Sequence, residues 1–70
     1  MERTAVASST IASVGYDAAS RLLEIVFLTG LVYQYLRVPA RVHTALLHAA
    51  SKGKYFNRYI RNAYSYRRVK

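Results

Sequence analysis

The sequence predicts a small α+β domain in which a three-stranded antiparallel meander precedes two helices packed on one of its faces, in the order β-β-β-α-α. Runs of alternating or β-branched and aromatic residues lie before Pro39, and helical periodicity begins after it. A chain of 70 residues without cysteine forms one domain, and neither disulfides nor thiolate metal sites can stabilise it.

The first strand is predicted from Thr10 onwards. Residues 1–7 show no hydrophobic period, so we expect a disordered N-terminus and a single domain over 8–70. Strict alternation in the first strand places Ile11 on one face and Val14 on the other. Asp17 then begins a turn, because its side chain can accept hydrogen bonds from nearby backbone amides.

The second and third strands, 21–28 and 31–38, form a hairpin around Gly30, which supplies the positive φ of a tight turn. A two-residue loop would pair Leu28 with Leu31 and would expose the two tyrosines of the third strand. A three-residue loop pairs Phe27 with Leu31 instead. We prefer the second register because it separates polar from apolar side chains better. It places Glu24 and Gln34 on one face and the following residues on the other: Leu23, Ile25, Phe27, Leu31, Tyr33 and Tyr35.

Two amphipathic helices are predicted to cover the sheet. Pro39 opens the first, over 39–51, and Gly53 is placed as its C-terminal cap. The second helix is predicted over 55–64, with Tyr64 beside the core. Each has an apolar stripe at i, i+3, i+4 and i+7, formed by Val42, Ala45, Leu46 and Ala49 in the first and by Phe56, Tyr59, Ile60 and Ala63 in the second. The tail 65–70 has no helical period.

The charge of +8 is unevenly distributed. Residues 1–35 carry two basic residues and three acids, whereas residues 36–70 carry nine basic residues and no acid, so the two halves have net charges of −1 and +9. A basic half of this kind predicts a polyanionic partner, with RNA preferred over DNA. The alternative is a charge that serves solubility alone.

The predicted contacts to nucleic acid lie in 51–70, where cations can follow a phosphate backbone and tyrosines can stack on bases. Core packing remains the competing role for the tyrosines. The candidate residues are Lys52, Lys54, Tyr55, Arg58, Tyr66, Arg67, Arg68 and Lys70. The other function left open is a protein–protein interaction module or homodimer that does not bind nucleic acid.

We expect no catalytic activity, metal or cofactor. The three acids form no evident pair, and the three glycines are scattered rather than grouped in a phosphate-binding loop. His43 and His48 point roughly 140° apart on a helix, which is unsuitable for a shared metal ion. The apolar stretch 22–36 is short and interrupted, and the N-terminus lacks the apolar core of an export signal, so a cytoplasmic protein without membrane contact is expected.

A longer pattern spans both helices and the hairpin. It comprises S-x-G-x-Y-F-N-x-x-I-R-x-x-Y over 51–64, together with Tyr16-Asp17, L-x-I-x-F from Leu23, Y-x-Y from Tyr33, and Val38-Pro39. This pattern resembles the KTSC domain family, and the resemblance covers about residues 8–68. The family takes its name from the C-terminus of some lysyl-tRNA synthetases and also occurs as free-standing bacterial proteins. The resemblance implies a stand-alone domain with a role in RNA binding.

The family pattern singles out two polar residues in an otherwise apolar segment. We favour structural roles for both: Asn57 would hydrogen-bond the backbone near the interhelical turn, and Arg61 would pair with Asp17. Ligand contact is the alternative role for each.

Overall fold

The computed structural model describes all residues, 1–70. Five antiparallel strands form one sheet in the order β1-β2-β3-β4-β5, and the helices lie between β4 and β5 in the chain. The elements are β1 Arg3–Ala5, β2 Ile11–Asp17, β3 Leu22–Phe27, β4 Val32–Tyr35, α1 Ala40–His48, α2 Lys52–Tyr55 and β5 Tyr66–Arg68, and α2 continues directly into a π-helical turn, Phe56–Ile60.

The α+β class is confirmed, but the prediction of a three-stranded sheet is wrong. Two further strands lie at its edges: β1 in the segment expected to be disordered, and β5 in the tail without a period. Both are three residues long and exposed at every position. They therefore show no alternation of buried and exposed side chains, and backbone pairing with β2 and β4 defines them instead.

The hairpin between β3 and β4 has the preferred three-residue loop. The Phe27 amide donates to the Leu31 carbonyl over 2.9 Å, and the Gly30 amide donates to the Phe27 carbonyl, also over 2.9 Å. Gly30 has φ +95°, a conformation that side chains disfavour. Glu24 lies opposite Gln34, as predicted, and the other face carries Leu23, Ile25, Tyr33 and Tyr35. Val26 and Val32 pair with each other on the face of Glu24.

A β-bulge in β2 corrects the predicted alternation. Ile11 pairs with Phe27, whereas Ser13 pairs with Val26, so the register shifts between Ile11 and Ser13. The extra residue in the bulge turns Ile11 and Val14 towards the same face, where both are fully buried. The helix-facing core therefore gains one large aliphatic side chain that strict alternation places on the opposite face.

The core lies between the sheet and the helices. Val42 and Leu46 of α1 are buried, which confirms the first apolar stripe, although the helix ends at His48 rather than at 51. The fully or nearly fully buried cluster contains Ile11, Val14, Leu23, Ile25, Tyr35, Val38, Val42, Leu46, Phe56 and Ile60.

The predicted start of the second helix is corrected. It begins at Lys52, where Ser51 caps the N-terminus by accepting a hydrogen bond from the Lys54 amide. Gly53 is therefore an early helical residue, not the cap of α1. A Cβ at this position would lie 3.3 Å from the Thr10 hydroxyl oxygen, so glycine allows the helix to approach the end of the β1–β2 connection closely.

The apolar stripe of the second helix is only half correct. Phe56 and Ile60 are buried, but Tyr59 is 50% exposed and Ala63 is also exposed. For Tyr59 the cause is the π-helical turn, closed by the Arg61 amide donating to the Phe56 carbonyl over 2.9 Å. A bond to the fifth preceding residue widens the turn, so Tyr59, three residues on, no longer shares a face with Phe56. Ala63 lies beyond the last helical residue, Ile60, so the predicted end of the helix at 64 is also wrong.

The opposite face of the sheet carries a polar row across all five strands. Its positions are Arg3, Gly15, Glu24, Gln34 and Arg67, each paired with the next. Glu24 accepts from Arg3 over 2.7 Å and from Gln34 over 3.0 Å, and Gln34 accepts from Arg67 over 2.8 Å. A Cβ at Gly15 would lie 2.9 Å from the Met1 sulfur and 3.1 Å from the Glu2 carbonyl oxygen, so glycine leaves room here for the N-terminal residues.

Candidate functional site

A groove of about 520 Å³ opens between the π-helical turn and the β4–β5 side of the sheet. We call it the tyrosine groove. It is lined by Ser9, Thr10, Phe27, Leu28, Thr29, Leu31, Tyr33, Tyr35, Phe56, Asn57, Arg61, Asn62 and Tyr66. Five of the 13 lining residues are aromatic, and none is acidic.

Three tyrosines on β4 and β5 form an aromatic cluster in the groove. Alternation along β4 directs Tyr33 and Tyr35 to the same face, and strand pairing sets Tyr66 of β5 opposite Tyr35. The rings of Tyr33 and Tyr66 are stacked, with centroids 5.4 Å apart and an interplanar angle of 15°. Tyr66 is 56% exposed, so one tyrosine of a stacked pair remains accessible to an aromatic ligand.

Tyr35 forms the buried part of this cluster. The residue is 2% exposed, and its ring packs edge-on against Phe56 with centroids 5.4 Å apart. Burial, followed by the neighbouring phenols of Tyr33 and Tyr66, raises the pKa of Tyr35 to about 12, while the charge of Arg61 opposes this rise. The hydroxyl therefore stays protonated at neutral pH and keeps its proton available for donation.

The π-helical turn contributes the polar wall of the groove. Asn57 and Arg61 both line it, are exposed, and form no side-chain hydrogen bond within the protein. The predicted Asp17–Arg61 pair is absent, because the Asp17 carboxylate accepts from the Ala19 amide and the Ser20 hydroxyl in its own turn. Arg3 and Glu24 form the ion pair of the molecule instead.

Sequence reasoning therefore assigned structural roles to the two polar residues that the structure leaves free for a ligand. The position of Asp17 at the start of a turn argues against the predicted pairing, because such an aspartate accepts hydrogen bonds from nearby backbone amides. The π-helical turn, which directs Asn57 and Arg61 to the groove together, has no equivalent signal in the sequence.

The basic residues predicted to bind nucleic acid do not form one strip. Arg67 and Arg68 are adjacent on β5 and point to opposite faces. Arg68 lies opposite Tyr33 on the helix-covered face, whereas Arg67 lies opposite Gln34 in the polar row. Tyr66 is the one predicted contact that lines the tyrosine groove, and Lys70 ends the chain next to β5.

The remaining predicted contacts lie on the second helix. Lys52 donates from Nζ to the Ala49 carbonyl over 2.8 Å, which ties its charge to the end of α1. Tyr55 packs against Tyr59 at 4.7 Å between centroids, and the Arg58 guanidinium lies 5.5 Å from the Tyr59 ring. Lys54 is exposed, and none of these residues lines the groove.

Features elsewhere in the molecule point to structural roles. The Tyr16 hydroxyl donates to the Val38 carbonyl over 2.6 Å, and its ring stacks on His43 at 4.7 Å. Burial lowers the pKa of His43. Tyr64 is half-buried against the core, as predicted. No group of three or more His, Asp or Glu side chains lies close enough to hold a metal ion. Every helix is too short or too polar to cross a bilayer.

Comparison with a solved structure shows the same fold. A KTSC domain protein from Yersinia pestis, known from its crystal structure, matches with a TM-score of 0.95 and 42% sequence identity. The match covers 99% of this chain and 97% of that chain. The five-stranded sheet and its helices are thus shared along almost the full length of both proteins.

Sequence comparisons identify two kinds of relative. An uncharacterized protein from Stutzerimonas stutzeri is 46% identical over 57 residues, which cover 81% of this chain and 80% of the relative. A lysine–tRNA ligase from Trichormus variabilis is 34% identical over 61 residues, which cover 87% of this chain but 11% of the ligase. A profile of the KTSC domain matches residues 7–64, and the chain therefore belongs to the KTSC domain family.

Proposed function

We propose that the protein binds single-stranded nucleic acid, RNA in preference to DNA, without catalysing a reaction, and that the tyrosine groove receives an unpaired base. The observation that carries this proposal is the exposed ring of Tyr66, which lies stacked on Tyr33 beside the unpaired Asn57 and Arg61. Proteins that bind single-stranded nucleic acid use aromatic side chains to stack on bases, and amide and guanidinium groups to form hydrogen bonds.

Each side chain has a distinct task in this proposal. A base stacks on Tyr66, an interaction that contributes about 1–3 kcal/mol and tolerates any base. The Asn57 amide offers both donor and acceptor to the base edge, and Arg61 supplies a charge for the backbone. Arg68 extends the positive charge along the same face from its position opposite Tyr33.

The relatives give independent support for RNA. The chain matches a short part of proteins named lysine–tRNA ligases, and a domain joined to a protein of that name is well placed to contact RNA. A cytoplasmic location is part of the proposal, because the proposed ligand is found there.

A second candidate function is interaction with a protein or with a second copy of the chain. The observation that favours it is the pair of short edge strands, β1 and β5, whose outer backbone groups face solvent. Such edges can accept a further strand. The polar row and the aromatic cluster would then serve only to hold these edge strands in place.

The experiment that separates these functions is a titration of the protein with short single-stranded RNA at several salt concentrations. RNA binding predicts that the logarithm of the association constant falls with the logarithm of the salt concentration by roughly 0.7 per phosphate contacted. A single-stranded DNA of the same sequence should bind more weakly. Absence of RNA binding at low salt, together with a dimer in light scattering, would favour the interaction module.

A further inference from the structure

We infer that the hydroxyl groups of Tyr33, Tyr35 and Tyr66, together with the Arg61 guanidinium, form an oxyanion site that holds a phosphate group in the tyrosine groove. This inference rests on the proposed function for the identity of the molecule that carries the phosphate. It goes beyond that function because it assigns a specific ligand group to four named side chains.

The first step is that these hydroxyls have no partner in the protein. Tyr16 uses its hydroxyl in an internal hydrogen bond, but no such bond involves Tyr33, Tyr35 or Tyr66. Tyr35 is almost wholly buried and lines the groove. Its hydroxyl oxygen keeps some solvent access, because every fully buried side-chain oxygen of the protein has a hydrogen-bond partner. Each of the three hydroxyls can therefore donate to a ligand atom in the groove.

The second step is that the four groups lie close together. The ring centroids of Tyr33 and Tyr35 are 6.5 Å apart, and those of Tyr35 and Tyr66 are 5.5 Å apart. Both neighbouring phenols and the charge of Arg61 affect the ionisation of Tyr35. The three hydroxyls and the guanidinium are therefore within electrostatic reach of one another.

The third step concerns the charge of the ligand. Each tyrosine hydroxyl can donate a hydrogen bond and Arg61 has only donors, so the site offers hydrogen bonds to oxygen atoms. No acid lines the groove, and Arg61 has no carboxylate partner. A group of donors with one uncompensated positive charge favours an anion.

The fourth step selects phosphate among the anions. Its tetrahedral oxygens can accept hydrogen bonds from more donors than the two coplanar oxygens of a carboxylate, and the groove is lined by four donor side chains of this site. Arginine is also suited to bidentate contact with phosphate. The exposed face of Tyr66 then accommodates the base attached to that phosphate. The phosphate can be an internal diester of the strand or a terminal monoester.

The test uses four probes: inorganic phosphate, a nucleoside, its 5′-monophosphate and a dinucleoside phosphodiester. Binding is followed by NMR chemical shifts of the tyrosine rings. We expect the monophosphate or the diester to bind at least about tenfold more tightly than the nucleoside, as one charge-assisted hydrogen bond suffices for this difference. Preference between these two probes identifies the source of the phosphate.

The variant Tyr35→Phe removes one hydroxyl and keeps the ring, and Tyr59→Phe makes the same change outside the groove. Tyr35→Phe should lower the affinity for the phosphate-bearing probe by about tenfold, without affecting the nucleoside, whereas Tyr59→Phe should affect neither. Thermal unfolding verifies that both variants remain folded at the titration temperature.

Equal affinities for nucleoside and nucleotide, or an unchanged affinity in Tyr35→Phe, would overturn the inference. If RNA binds under these conditions, the proposed function survives that result. Conversely, phosphate binding that depends on Tyr35 without any RNA binding would support the oxyanion site and contradict the proposed function.

Discussion

Arg3 and Glu24 form an ion pair across Gly15, with the Arg3 Nε atom 2.7 Å from Glu24 Oε2. Glu24 is 7% exposed, and it is the one buried charged residue of the protein. Arg3 belongs to the short edge strand β1, so this pair fastens that strand to the centre of the sheet. Gln34 and Arg67 continue the row to β5, which links both edge strands to the same carboxylate.

The Arg3–Glu24 pair makes the free energy of unfolding depend on pH in the acidic range. The hydrogen bond from Arg3 is the largest influence and lowers the pKa of Glu24 below its ordinary value of 4.5, against the opposing effect of burial. A lowered pKa contributes stability that is present above the ordinary value and is lost as the pH falls through the folded-state value. Denaturant unfolding below pH 4.5 should therefore show a falling free energy of unfolding, and Glu24→Gln should reduce this dependence.

Glu2→Gln is the matched control, since it removes the same charge from an exposed residue next to Arg3. The Glu2→Gln variant should show the same fall in the free energy of unfolding below pH 4.5 as the parent protein. Arg3→Ala should lower the free energy of unfolding at neutral pH by roughly 1 kcal/mol, because the pair is partly exposed on the arginine side. Identical acid profiles for Glu24→Gln and the parent protein would contradict the account.

Arg21 occupies a left-handed conformation, with φ 56°. Glycine adopts this conformation without steric cost. The backbone contact there, from the Val38 amide to the Arg21 carbonyl over 2.9 Å, needs no side chain. Arg21→Gly should therefore raise the free energy of unfolding by about 0.5–1 kcal/mol, as measured by chemical denaturation.

Arg41 in α1 provides the opposite case. Arg41→Gly removes the same exposed side chain from a helix, where glycine costs about 1 kcal/mol, and should destabilise the protein. Destabilisation by both substitutions would contradict this prediction. It would show that the Arg21 side chain adds more to the free energy of unfolding than its left-handed conformation costs.

The raised pKa of Tyr35 predicts that the protein loses stability at alkaline pH. Its pKa is raised from 10.0 to about 12, first by burial, so its contribution is complete below pH 10 and is lost as the pH rises towards 12. Unfolding experiments across this window should show a decrease of about 1–2 kcal/mol attributable to this group. Tyr35→Phe should remove that part of the decrease, while Tyr59→Phe should retain it.

The sequence predicts those strands in which buried and exposed residues alternate, and it does not predict strands that lack this alternation. The register of Phe27 with Leu31 could be predicted, because only one loop length separates Glu24 and Gln34 from the apolar side chains. Strands β1 and β5 could not, since exposed three-residue strands have no alternation to detect. Ile11 was misplaced because a bulge breaks the period of two in the strand that carries it.

The candidate site was predicted in part for the same physical reason. Tyr66 was among the expected contacts, and the tyrosine groove includes it. Asn57 and Arg61 were assigned to structural roles because each is a polar residue in an otherwise apolar segment. The π-helical turn places both at the groove, and no composition or period marks where such a turn occurs.

Binding of single-stranded RNA by Tyr66→Ala and Tyr59→Ala tests the central proposal most directly. Both tyrosines are exposed, at 56% and 50%, but only Tyr66 lines the groove. The account predicts that Tyr66→Ala loses about 1–3 kcal/mol of RNA-binding free energy and that Tyr59→Ala keeps the parent affinity, with both variants folded by circular dichroism. Equal affinities for the two variants, or RNA binding lost with Tyr59 rather than Tyr66, would contradict it.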